Sequence, residues 1–270
     1  MKKKFFYLQI LILQLLDSFK KGVLILLIYF YDGTFEGLLT SIYDGFYSTT
    51  PPNVICTKNS FEVDFLSEVV NIETNNIKYT KVQNSIITKI NPLCLKKLYY
   101  VFLSNKKNKE MLCFNYLKLA FKIGSNIHKY LHNDLVKSVD SISKGVSFES
   151  HRLKGLIRFS YINEKFLYSS IEPDNNILEL LSSHFQKRFP NEYWIIHDIK
   201  RSIASVYNGI SWEIVEMNLE IYNELKNYND NFHKLWKDYF KATTINERLN
   251  LNHQKAQMPK RYWTHLTEFK

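Results

Sequence analysis

The most restrictive feature of this sequence is a stretch in which apolar and polar residues alternate on both sides of a polar turn. Residues 156–162 alternate, Asn163-Glu164-Lys165 turns the chain, and residues 166–172 alternate again. A period of two on both arms predicts a β-hairpin. With Ile162 opposite Phe166, the register carries on to Arg158 opposite Ser170. Ile157, Phe159, Tyr161, Leu167, Ser169 and Ile171 then share one mostly apolar face. Arg158, Ser160, Tyr168, Ser170 and Glu172 share the other, with Ile162 and Phe166 at the hairpin end. The apolar face needs a cover, and Ile177, Leu181, Phe185 and Phe189, in steps of four, supply a helix for it. Apolar runs at residues 193–198 and 203–207 add two strands. The order β-β-α-β-β predicts a small layer of antiparallel strands beneath one helix. From Ser211 onward the pattern returns to helix, with Phe232, Leu235, Trp236, Tyr239 and Phe240 in one aromatic stripe.

Upstream of the hairpin the chain reads differently. Residues 23–31 form a β-type apolar run closed by Asp32-Gly33, and Thr34 can cap a helix over residues 35–46. Strand, glycine turn and helix open an α/β unit, but Asp32-Gly33-Thr34-Phe35-Glu36-Gly37 has neither phosphate-loop nor dinucleotide spacing. A break at Thr49-Thr50-Pro51-Pro52-Asn53 precedes a short strand at residues 54–57, and residues 77–150 carry helical periodicity throughout. The expected class is therefore α+β: a strand-helix start and helical region over 23–150, then an α+β core with a helical C-terminus over 151–270, packed as one compact unit.

Three observations bound the chemistry. Cys56, Cys94 and Cys113 form no CxxC and cannot all pair, which excludes a disulfide scaffold and a Cys-rich metal site and favours a reducing cytosol. His128 and His132 are four apart but flank a helix break without an HExxH glutamate, so no metal site and no cofactor is expected. Residues 1–22 open, over residues 1–16, with a segment that resembles the first two regions of a signal peptide. The apolar stretch is nevertheless too short to span a bilayer, no small-x-small site follows, and a strand comes next. They read as a dispensable extension, with the native start near Val23 or Leu24, and a cytoplasmic protein without stable membrane association is expected.

The chain carries 36 Lys and Arg against 26 Asp and Glu, a formal charge of +10, so an anionic partner is indicated. Its richness in Lys, Asn and Ile suggests an AT-rich genome, and arginine is the more selective signal. All six arginines, Arg152, Arg158, Arg188, Arg201, Arg248 and Arg261, follow residue 151. A guanidinium grips phosphate or carboxylate in two places, whereas a Lys is a mobile point charge.

Five blocks of sequence resemble a bacterial family of proteins assigned to DNA metabolism or repair. They are the segment from Tyr29-Phe30-Tyr31-Asp32-Gly33 to Gly37, His151-Arg152-Leu153-Lys154-Gly155 continuing to Phe159, and Tyr168-Ser169-Ser170-Ile171-Glu172-Pro173-Asp174. Trp194-Ile195-Ile196-His197-Asp198-Ile199-Lys200-Arg201 and Met258-Pro259-Lys260-Arg261-Tyr262-Trp263 complete the set. The resemblance runs from about residue 25 to the end. It implies a domain of unknown function that is paired with a radical-SAM DNA modification or repair protein and is found fused to uracil-DNA-glycosylase-like domains. It carries over no catalytic residue. This chain has no CxxxCxxC, so any such cluster would belong to the partner.

Three functions are compatible with these residues. As a nucleic-acid-binding protein acting on single-stranded or damaged DNA, the chain would use Arg152, Lys154, Arg158, Lys200, Arg201, Lys260 and Arg261 on phosphates. Tyr262, Trp263 or Trp194 would stack on an exposed base. As a nucleic-acid-processing hydrolase or glycosylase-like enzyme, it would draw its general acid and base from Glu172, Asp174, His197 and Asp198, with His184 a weaker candidate. As an adaptor docking on the radical-SAM protein, it would need no active site.

Overall fold

The computed structural model describes residues 26–60, 67–225, 231–248 and 250–269, so the extension at residues 1–22 lies outside the described residues. The chain divides into two units, Met1–Phe102 with Lys106–Ser143, and Leu103–Asn105 with Lys144–Lys270.

In the first unit, β1 (Leu26–Tyr31) is the central strand of a parallel sheet, between β2 (Val54–Thr57) and β3 (Ser67–Asn71). The chain leaves β1 through Gly33, whose φ of 84° suits a residue without a Cβ. Thr34 caps α1 (Phe35–Tyr47) as the sequence predicts, its hydroxyl accepting from the Gly37 amide at 2.9 Å. The Asp32 carboxylate accepts from the amide and hydroxyl of Thr34 and from the hydroxyl of Thr74. Helices α2 (Asn76–Lys89), α3 (Pro92–Leu103) and α4 (Lys109–Ile123) follow, and α5 (Asp134–Leu156) begins in this unit and continues from Lys144 in the second. Leu38, Ile42, Ile55, Ile86, Leu98 and Leu117 are almost wholly buried in one core. Burial pushes the thiols of Cys56 and Cys94 up to about 11 and about 12, so both stay protonated and inert at neutral pH. The sequence reading has no counterpart of β3, whose Ser-Glu-Val-Val-Asn carries only two apolar residues.

The second unit holds a five-stranded sheet in the order β4 (Ser160–Ile162), β5 (Phe166–Ile171), β6 (Trp194–Asp198), β7 (Ile203–Tyr207), β8 (Trp212–Glu216). The hairpin register is as expected at its end, with Ile162 opposite Phe166 and Ser160 opposite Tyr168. Asn163 and Glu164 turn the chain at φ of 48° and 56°. Helix α6 (Leu178–Arg188) covers the expected face, with Phe159 edge-on to Phe185 and Phe189 and a 2.7 Å hydrogen bond from Ser182 to Ser205.

Three details correct the sequence reading. Helix α5 continues to Leu156, so the strand starts only at Ser160 and Arg158 lies before it. Strands β5 and β6 are parallel, not antiparallel, because the helical connection between them carries the chain back to its starting edge before β6 begins. Residues 212–216 form an antiparallel edge strand where helix was expected. Helices α7 (Leu219–Leu225), α8 (Asn231–Thr243) and α9 (Leu251–Gln257) follow, then 3-10 turns at Lys260–His265 and Thr267–Phe269. No described helix is long and apolar enough to cross a membrane.

Candidate functional site

Alternation along β5 and its register with β6 decide which polar groups meet. Tyr168 and Ser170 point to one side, and His197, paired with Ser170 in register, points with them, on the side opposite Ser182 of α6. Three imidazoles are bonded on this side. The Nδ1 of His197 meets the Tyr168 hydroxyl at 3.0 Å and its Nε2 meets the Met217 carbonyl at 3.1 Å. A carbonyl can only accept, so Nε2 carries the proton and Nδ1 accepts from the phenol. Burial lowers the His197 pKa, partly offset by that carbonyl and by Asp198, so the ring is neutral at neutral pH. Ser160 Oγ lies 3.1 Å from Nε2 of His233.

The third imidazole belongs to His265. Its Nδ1 is 2.9 Å from Ser170 Oγ and its Nε2 is 3.3 Å from a Glu172 carboxylate oxygen. The His265 side chain is 7% exposed, whereas Glu172 reaches solvent at 46%. The carboxylate favours a proton on Nε2, leaving Nδ1 to accept from the serine hydroxyl. A hydroxyl, a base and a group that orients the base thus stand in one line, the arrangement that activates a nucleophile. Of these, sequence reasoning singled out Glu172 alone. His265 lies 95 positions from Ser170 in a 3-10 turn, and no local motif links them.

The predicted cations are placed unevenly. Lys200, Arg201 and Arg261 come together, but around Glu149, Asp174 and Asp198. Arg201 bonds the Asp198 carboxylate at 2.7 Å and the carbonyls of Pro173 and Asp174. Arg261 lies 2.9 Å from Asp174 and 3.6 Å from Glu149, and Lys200 lies 3.8 Å from Asp174. Three cations face three carboxylates, which leaves no surplus positive charge in this cluster. Burial raises the Asp198 carboxyl, and the bonds from Arg201 offset this only in part. Arg158 forks onto Glu268 at 2.7 and 3.1 Å and lies over the Trp236 ring.

Arg152 is exposed on α5 and Lys154 is half-buried there. Lys260 is exposed, 5.9 Å from the Trp263 ring. The predicted stacking rings are engaged within the fold. Trp194 and Tyr262 are buried, the latter donating to Glu149 at 2.6 Å, and Trp263 stacks on Phe269 at 4.3 Å and donates to the Met258 carbonyl.

A stripe of exposed apolar side chains lies instead on α8. Phe232, Leu235, Trp236 and Tyr239 are 67, 62, 36 and 59% exposed on a helix that also carries Lys234, Lys237 and Lys241. Phe232, Trp236 and Tyr239 border a concavity of about 480 Å³ with Arg158 and Thr267. Among the described residues no cluster of three or more His, Cys, Asp or Glu is arranged to hold a metal ion. Compared with known proteins, the sequence matches a family described as "Domain of unknown function (DUF4130)" over residues 107–268. No curated protein and no solved structure gives a match.

Proposed function

The chain belongs to the DUF4130 family, and from that premise we propose that it is a cytoplasmic nucleic-acid-binding protein of DNA metabolism, acting with a radical-SAM partner. The observation that carries this reading is the exposed aromatic stripe on α8, flanked by lysines. Phe232 and Tyr239, held open to solvent, stabilise a soluble protein little, whereas an unpaired base stacks on such rings through either of its faces. Lysines along the same helix neutralise the phosphates between bases. The surrounding residues 231–270 carry eight Lys or Arg against three Asp or Glu. The resemblance to DNA repair proteins supports the choice of DNA and of the partner.

Fluorescence polarisation with labelled single- and double-stranded DNA across a salt series tests the reading. Single strands are expected to bind more tightly, with affinity falling as salt rises, and Phe232→Ala with Tyr239→Ala is expected to weaken binding by about tenfold or more. No binding at low salt would remove this function. Co-purification with a radical-SAM protein tests the partnership separately.

One specific observation favours a second reading, a nucleic-acid-processing hydrolase. The line Ser170, His265, Glu172 supplies a hydroxyl nucleophile, its base and an orienting carboxylate.

A further inference from the structure

A concavity in the first unit belongs to none of the groups described so far. Three helices wall it in, each through its own periodicity. Helix α1 presents Tyr43, Phe46 and Tyr47 on adjacent turns, and α2 presents Lys81 and Lys89 eight residues apart on one face. Helix α4 contributes Lys118 beside Phe121. The open concavity holds about 910 Å³, at the large end of the range for small-molecule sites.

We propose that this cavity binds a nucleotide unit, with the base against the rings and the phosphate among the lysines. Charge and shape support this together. Among the described residues no carboxylate lines the cavity, and Asp44, the nearest acid along α1, is held by Lys78 at 2.7 Å. The lining is therefore cationic, and a low-dielectric concavity concentrates that field more than a flat surface does. Tyr43 and Tyr47 lie 4.6 Å apart and tilted by 40°, and Tyr47 is 77% exposed at the rim, a ring open to a flat partner. Phe46 and Phe121 pack edge to face and give the wall an apolar surface of the thickness a base can cover. Asn84 and Ser85 on α2 add amide and hydroxyl groups able to bond a base edge or a sugar. An alkyl chain would leave the lysines unused, and inorganic phosphate would leave the rings unused. The site is independent of the stripe on α8.

Calorimetric titration of the full chain provides the test, with 2′-deoxyadenosine 5′-monophosphate, deoxyadenosine, inorganic phosphate, decanoate and a 5′-phosphorylated tetranucleotide as probes. The monophosphate is expected to bind at least about tenfold more tightly than the nucleoside or phosphate alone, because only it uses rings and cations together. Lys81→Glu with Lys118→Glu is expected to weaken it about tenfold or more with an unchanged melting temperature, since both side chains are exposed. Phe232→Ala with Tyr239→Ala is expected to leave it unchanged, which separates this site from the α8 reading. Tighter binding of the tetranucleotide identifies a strand end as the natural source, and tighter binding of the free monophosphate identifies a soluble nucleotide. Absence of monophosphate binding, equal affinity in the double variant, or equal affinity for decanoate overturns the proposal.

Discussion

Glu149 and Tyr262, 113 positions apart, meet in a 2.6 Å hydrogen bond whose acceptor carboxylate is only 6% exposed. The same carboxylate accepts from the backbone amides of Asp174 and Asn175 and from the Asn175 side chain. One buried anion therefore ties the end of α5 to the loop after β5 and to the C-terminal turn. Removing the anion leaves two backbone amides, the Asn175 side chain and the phenol proton without their acceptor, whereas removing the phenol hydroxyl costs its bond to Glu149 and the one it accepts from the half-exposed Arg261. Urea unfolding is expected to show Glu149→Ala destabilised by about 3 kcal/mol or more and Tyr262→Phe by about 1–2 kcal/mol. Arg261→Ala, whose side chain is half in solvent, is expected to cost under about 1 kcal/mol. An inverted order would show that the guanidinium, not the carboxylate, organises the cluster.

What the sequence made legible follows from how local each signal is. The hairpin register, the Thr34 cap and the covering face of α6 rest on residues within a few positions of one another, and the observed pairings reproduce them. The direction of β6 relative to β5 depends on the path of the intervening chain, which alternation alone does not encode. The edge strand β8 has four exposed residues among five, so no buried face disciplines its pattern. The site was legible by half. Glu172 stood out as a carboxylate on a polar strand face, but His265 reaches it across 93 positions. The arginines were conspicuous as donors, while their partners Glu149 and Glu268 lie 113 and 110 positions away from the rings and cations they hold.

Glu268 anchors the end of the chain, accepting from both arms of Arg158 and from the Trp236 indole at 3.0 Å. Burial acts to raise its carboxyl, but these bonds outweigh burial and hold the pKa below 4.5. A carboxylate whose folded pKa is depressed contributes stability that is present above the unfolded value and lost as pH falls through the folded one. Acid unfolding of the native chain is therefore expected to steepen below 4.5, and Glu268→Gln to remove part of that slope. Limited proteolysis at neutral pH is expected to cut the C-terminal region of Glu268→Gln sooner. Equal cleavage of variant and native chain would show that this pair does not hold the terminus.

His197 gives a second pH window with its own sign. Its folded pKa lies below 6.5 because burial disfavours the imidazolium, so the unfolded chain binds the extra proton first. The stability it contributes is present above 6.5 and lost as pH falls through the folded value. His184, lowered by burial and by Lys154 and Arg188, acts in the same direction. Asp198, raised by burial, acts oppositely, its stability being lost as pH rises through a folded value above 3.8. Comparison with His197→Gln isolates the histidine, because an amide keeps one donor and one acceptor without a titrating charge. Melting temperatures measured between about pH 8 and pH 5 are expected to fall less in the variant than in the native chain. Parallel curves would mean that the ring is protonated equally in both states.

The line from Glu172 through His265 to Ser170 yields a chemical prediction. With the His265 proton on Nε2 facing the carboxylate, Nδ1 can take the Ser170 proton as Oγ attacks phosphorus or an acyl carbon. A fluorophosphonate probe presents such an electrophile. Reaction forms an Oγ–P bond, expels fluoride and leaves the proton on the imidazole. Mass spectrometry of the labelled chain is expected to place the adduct on Ser170 and to find none in Ser170→Ala. His265→Gln is expected to slow labelling by about 10²-fold or more, because the variant has no base to take the proton. Glu172→Gln is expected to have a smaller effect, since the amide still accepts from Nε2 and holds the ring in place but no longer offsets its charge. Labelling that survives Ser170→Ala, or that does not depend on His265, would reduce the three residues to a hydrogen-bonded brace between β5 and the C-terminal turn.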